Sequence, residues 1–179
     1  MKKSAFSIVF IFLTFSIFSQ LYIGPEVQVY PTGVIPGIRF EKGINENSAI
    51  NFRLGFQYIR HRDLGVHEDE RGNGYGTSIG YKRYLSSDKT GFSLSLRVDF
   101  WNNNIDWKDN IGDPDEISGR TDIIVIQPTL LLEDAFTLWD GTLLIPSLGF
   151  GYEWNAKTDG EPTGEGAILL IGVSFIKSL

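Results

Sequence analysis

A two-residue alternation between bulky apolar side chains and small or polar ones runs through this chain and leaves it few folds to adopt. Phe92, Leu94, Leu96, Val98 and Phe100 take one parity, and Ser93, Ser95, Arg97 and Asp99 take the other. Successive side chains of an extended strand point to opposite faces, so such a segment has one greasy side and one polar side. The same pattern sets Ile50, Phe52, Leu54, Phe56 and Tyr58 against Asn51, Arg53, Gly55 and Gln57. It also sets Leu144, Pro146, Leu148, Phe150, Tyr152 and Trp154 against Ser147, Gly149, Gly151 and Glu153. Weaker versions over 21–30, 35–41, 75–85, 122–132 and 167–177 bring the count to eight strands, and no segment sustains helical spacing.

The N-terminal segment reads differently. Lys2 and Lys3 precede an apolar run from Ala5 to Phe18, and Ser19 follows as a small exit residue. This is the layout of a secretory signal peptide, and its 14-residue core falls short of the roughly 20 residues a spanning helix needs. We expect cleavage after Ser19, leaving residues 20–179 as one domain with net charge −8. Absence of cysteine excludes disulfides, thiol nucleophiles and cysteine metal sites. The acidic balance excludes a phosphate-neutralising nucleic-acid binder.

An exported chain of eight antiparallel strands closes as a barrel, greasy either inside or outside. Volume decides between the two, because an eight-stranded interior is just wide enough for side chains or one small ligand. The bulky sets are too large for that space, whereas the opposite parity carries Gly24, Gly37, Gly55, Gly76, Gly80, Gly149, Gly151 and Gly172. The bulky face is therefore expected to meet lipid, giving an all-β, up-and-down transmembrane barrel. The connections fit: counted in order they span about 4, 7, 13, 5, 19, 8 and 12 residues, so three of the four at one end are long.

Eight charges fall on the lumenal parity: Glu26, Arg39, Glu41, Arg53, Lys82, Arg97, Asp99 and Glu153, four of each sign. They admit an ion path or polar active site, or a structural plug of paired charges; we take the plug, with Glu41 placed near both Arg39 and Arg53. Aromatic girdles are expected at both strand ends, from Tyr30, Tyr58, Tyr75, Phe100, Tyr152 and Trp154 at one and Phe40, Tyr81, Phe92, Phe136, Trp139 and Phe175 at the other. Pro128 and Pro146 interrupt two strands, and pairing around Thr137 would set them opposite each other at a bulge or a water-filled irregularity.

With this pattern in place, residues 20–179 resemble the small eight-stranded outer-membrane β-barrels, similar to the OmpX and OmpA barrel domains. The resemblance implies a monomer in the outer membrane of a Gram-negative envelope, contacting outer-membrane lipids and lipopolysaccharide. It also implies insertion by the barrel assembly machinery through the last strand. Leu169, Ile171, Val173 and Phe175 match the alternating terminal strand of that group, while Lys177 and the terminal Leu179 depart from it.

Small barrel hydrolases that deacylate lipid A carry a serine two residues after the catalytic histidine. Here Arg62 and Asp63 follow His61, and Glu68 and Asp69 follow His67, so that motif is absent. Both histidines are expected as solvated loop residues, and no cofactor is expected. The segments 61–73, 102–120 and 155–166 hold 12 acidic and 5 basic residues, a net −7. The oxygen-rich run Asp109, Asn110, Asp113, Asp115 and Glu116 lacks EF-hand spacing, and no metal is assigned to it. Arg60 and Arg62 stand at the loop base as candidate contacts for lipopolysaccharide phosphates. The first reading is a non-enzymatic barrel with a plugged lumen and acidic outer loops, serving envelope structure or surface interaction. Its rivals are a lipid A-modifying hydrolase, a narrow pore and a soluble periplasmic lipid-binding barrel.

Overall fold

In a computed structural model, residues 20–179 are described; the expected signal segment, 1–19, lies outside the described residues. Eight antiparallel strands follow one another: β1 (Leu21–Tyr30), β2 (Gly33–Asn45), β3 (Ser48–Arg62), β4 (Asp69–Tyr84), β5 (Gly91–Asp109), β6 (Ile117–Thr137), β7 (Thr142–Asp159) and β8 (Gly166–Ser178). Each pairs with its sequence neighbours, and β1 pairs with β8 from Tyr22↔Ser178 to Val29↔Ile171, which closes the ring. Closure leaves no free edge, the condition for a sheet surrounded by hydrocarbon.

The alternation resolves into two faces. Leu94, Leu96, Phe52, Leu54, Leu130, Phe150, Leu169 and Ile171 are exposed on the outside, whereas Ser93, Ser95, Arg97 and Asp99 are buried inside. A water-soluble barrel would invert this, so the exposed apolar band identifies a lipid-facing surface. Tyr58, Tyr75, Phe100, Tyr152 and Trp154 are exposed at the end distal to the termini, and Tyr81, Phe92, Phe136, Trp139 and Phe175 at the proximal end. Tyr30 departs from the expected girdle: it shares parity with Glu26 and Gln28 and is buried in the lumen.

The distal connections are shorter than the sequence suggests, because the strands run on. Pairing of β3 with β4 continues to Arg62↔Asp69, and pairing of β5 with β6 continues to Asp109↔Ile117. The expected 19-residue loop over 102–120 therefore shrinks to a seven-residue turn, Asn110–Glu116. The alternation also changes phase where β5 leaves the girdle. Up to Phe100 the apolar parity faces out, but beyond it Trp101, Ile105 and Trp107 are buried inside while Asn102, Asp106 and Lys108 are exposed outside. Above the hydrocarbon the outer face meets water, so polar side chains belong there and apolar ones pack inwards.

Pro128 and Pro146 do not face each other. The β6–β7 register brings Leu130 to Phe150 and Leu132 to Leu148, placing the two prolines at separate gaps of the same seam. Pro128 keeps its place opposite Val98 in β5, and Pro146 keeps its place opposite Val173 in β8. Each proline thus presents its missing N–H at an interruption and leaves the other seam intact. The register shift itself lies within β6 on the distal side of Pro128, between Ile124 and Val125.

Candidate functional site: the lumen

The lumen is layered. A proximal apolar cluster of Tyr22, Ala49, Tyr84, Ala135, Leu143, Ile145 and Ile176 closes the end nearest the termini. A distal cluster includes Ile35, Ile59, Trp101, Ile105, Ile123 and Ile168. Charged side chains fill the space between the two clusters. Arg39 holds Glu41 at 2.6 Å, Glu133 at 2.5 Å and Glu26 at 3.2 Å. Arg53 holds Asp99 at 2.6 Å and Glu26 at 2.9 Å, and Arg97 reaches the same two carboxylates at 3.1 Å. Lys82 lies 3.1 Å from Glu133 and 3.6 Å from Glu41, with its ammonium 4.4 Å from the Tyr84 ring centroid.

Neutral groups complete the network. Gln28 Oε1 accepts from Arg53 at 2.5 Å and from Arg97 at 2.7 Å, Ser174 donates to Glu26 at 2.9 Å, and Tyr84 donates to Glu41. Ion pairs removed from water are stable only when the remaining lone pairs and protons are also bonded, and here most are. Their small neighbours make the room: Ser78 of β4 stands between Arg53 and Asp99 in register, and Gly80 stands opposite Arg97.

Seven of the eight charges singled out in the sequence meet in this network, and one does not. Glu153 lies higher, half-buried on the distal side, with no cationic partner among the described residues. The fourth carboxylate of the network is Glu133 of β6, which the apolar alternation places just past the end of its strand. It shares parity with Gln127 and Thr129, so a strand drawn a few residues longer would have included it. Glu41 pairs with Arg39 and Lys82, whereas the carboxylate partners of Arg53 are Glu26 and Asp99.

Above the network lies a cavity of about 260 Å³ between the distal strand ends, walled by Ile59, Ile105, Ile123, Val125 and Ile168. The histidines belong to this region, and both are buried rather than solvated. His61 Nε2 lies 3.1 Å from a Glu70 carboxylate oxygen on the paired strand. His67 stacks on Trp107 with ring centroids 4.1 Å apart, its Nδ1 2.8 Å from Asp109 and its Nε2 3.1 Å from the Pro162 carbonyl. One imidazole thereby ties the β3–β4 turn to β5 and to the β7–β8 turn. The bond from His67, with a second from the Glu68 amide at 2.9 Å, holds the half-buried Asp109 carboxyl below the usual carboxylate range.

No protein-family model and no curated protein sequence matches the chain. Solved structures do. The chain is similar to a major outer membrane protein from Thermus thermophilus, at 12% identity and TM-score 0.59, over 91% of this chain and 100% of that one. It is also similar to Neisserial surface protein A, at 11% identity and TM-score 0.50, over 90% and 96% of the two chains. The N-terminal β-barrel domain of Pseudomonas aeruginosa OprF matches at 14% identity and TM-score 0.50, over 88% and 96%. Identities this low speak to architecture alone, and on architecture they agree with the lipid-facing band: the chain has the fold of the small eight-stranded outer-membrane β-barrels.

Proposed function

We propose that this protein is a non-enzymatic, monomeric, integral outer-membrane barrel whose charge network seals the lumen and whose acidic distal end serves envelope structure or surface interaction. The observation that carries this reading is the balance of the lumen. Four cationic groups, Arg39, Arg53, Lys82 and Arg97, meet four carboxylates, Glu26, Glu41, Asp99 and Glu133, between two apolar clusters. A permeation path needs room for mobile water, whereas here each cationic group lies within ion-pair distance of at least two of the carboxylates that fill the space.

Lipid contacts follow from the outer surface. Leu169, Val173 and Phe175 of β8 face outwards as a terminal strand read by the barrel assembly machinery would. Arg60 and Arg71 stand opposite each other just beyond Tyr58, Arg62 lies two residues further along β3, and all are exposed. Like charges directly opposite are unfavourable by themselves, so the pair is suited to an anionic lipopolysaccharide phosphate. Fractionation of the envelope and conductance in planar bilayers test the reading. Recovery in the outer membrane with no stepwise current is expected; a soluble periplasmic protein or regular single-channel steps would overturn it.

A further inference from the structure

The cavity above the charge network has a chemistry of its own. Glu153, absent from the balanced network below it, lines this space as a carboxylate without a counter-charge among the described residues. Gln57 and His61 line it as well and are buried, at 1% and 9% exposure. The Gln57 amide donates to the Tyr30 hydroxyl at 2.7 Å, which leaves its Oε1 without a partner. His61 faces the Glu70 carboxylate through Nε2, and a carboxylate accepts, so Nε2 carries the proton in the neutral ring. Its Nδ1, also without a partner, then presents a lone pair.

Gln57 Oε1, His61 Nδ1 and the Glu153 carboxyl group therefore line a space walled in large part by isoleucine and valine, and the last of them can carry a negative charge that an incoming cation would stabilise. A buried acceptor left unmatched is costly, and the matching ligand is one rich in N–H donors with positive charge. A polyanion repels the carboxylate, and a sugar can donate to it through hydroxyls but brings no positive charge and little apolar surface for the isoleucine wall. A divalent cation needs several charged ligands gathered around one point, and no cluster of three His, Cys, Asp or Glu is gathered for one among the described residues. Tyr30 supplies the one phenyl-type ring among the described lining residues, so the aromatic cage that selects quaternary ammonium is missing. The acidic distal segments, with their net −7, raise the local concentration of cations at the mouth. We infer that the distal cavity is a binding site for a small primary-ammonium compound with an apolar body, its ammonium on Glu153 and Gln57 and its body against Ile59, Ile105 and Ile168. The inference goes beyond the envelope role, and the lumen network serves it only as a closed floor.

The test uses the purified full-length barrel in detergent micelles, titrated calorimetrically with 2-phenylethylammonium, 2-phenylethanol and phenylacetate. Saturable binding of the ammonium is expected, with the alcohol about tenfold or more weaker and the carboxylate not bound. Glu153→Gln should weaken the ammonium about tenfold while leaving the heat-modifiable gel mobility of the folded barrel unchanged. Glu161→Gln removes the same charge from an exposed turn and should change affinity less than about twofold. Failure of the wild-type protein to bind the ammonium, equal binding of the alcohol, or equal loss in both variants would overturn the inference. The first two outcomes need no variant to fold, and a conducting lumen would leave all of them unaffected.

Discussion

Arg39 on β2 meets Glu133 on β6 at 2.5 Å, and in a ring of eight these two strands are diametrically opposite. The pair crosses the lumen and ties together walls whose residues lie 94 positions apart in the chain. Arg39→Ala would leave Glu26, Glu41 and Glu133 short of a counter-charge in a dry interior. The expected loss is about 3–5 kcal/mol of unfolding free energy, read by urea titration of the protein folded into lipid vesicles. Arg39→Met combined with Glu133→Leu keeps the remaining charges balanced, so a double-mutant cycle should give a coupling of roughly 1–3 kcal/mol. Additive losses would mean that the pair does not interact.

Leu96 lies midway between Phe92 and Phe100 along β5 and is 61% exposed on the outer face. Arginine at that depth faces hydrocarbon, at about 2–4 kcal/mol near the bilayer midplane. Leu96→Arg should reduce folding into vesicles accordingly, and Lys108→Arg, far above the girdle, should not change it. Ser95→Arg fails for another reason. Ser95 is fully buried and accepts from Asn51 at 3.2 Å, so the larger side chain overpacks the lumen. The two Arg variants separate by detergent: micelles relieve the lipid-face penalty of Leu96→Arg more than the steric penalty of Ser95→Arg.

Trp101 fits inside because glycines stand beside it. A methyl group at Gly55 would come within 2.9 Å of the indole ring, and one at Gly76 within 2.3 Å of both the ring and the Phe100 carbonyl. Gly55→Ala should therefore destabilise by about 1–3 kcal/mol and become close to neutral in a Trp101→Leu background. Gly76→Ala should stay destabilising in that background, because the backbone carbonyl does not move aside. Thermal unfolding of the two glycine variants, Trp101→Leu and the two double variants checks the contrast.

The distal clasp gives a pH dependence. The Asp109 carboxyl is held below the usual range first by the bond from His67 and then by the Glu68 amide. A depressed folded-state pKa contributes stability that is complete above the ordinary carboxylate value of about 4 and is lost as pH falls through the lower folded value. Amide-exchange protection of Glu68, whose N–H bonds Asp109, should fall on acidification below that range. Asp109→Asn should show the reduced protection at neutral pH and no further acid step. An acid step of unchanged size in that variant would assign the effect elsewhere.

Much of this architecture is legible in the residues because side-chain parity is local. Phe92 to Phe100 declare an outward face, and Arg97 and Asp99 an inward one, whatever strand lies beside them. Glu133 is hidden from such a reading because Asp134 interrupts the outward apolar set after Leu132, although the strand continues past the girdle residue Phe136 to Thr137. The histidines are misread for the same reason. Their segment is polar along its outer face, yet β3 and β4 keep pairing through it and turn His61 inwards.

A ring of alternating strands with lipid outside and charge inside is written into the order of the residues, since each of those properties repeats within a few positions. Which charges meet is not written there. Register and closure bring β2 against β6 across the lumen, so Glu133 completes the network and Glu153 is left above it, a carboxylate facing a cavity. Partnership in a barrel is set by position around the ring and height along it, and neither is a property of any one strand.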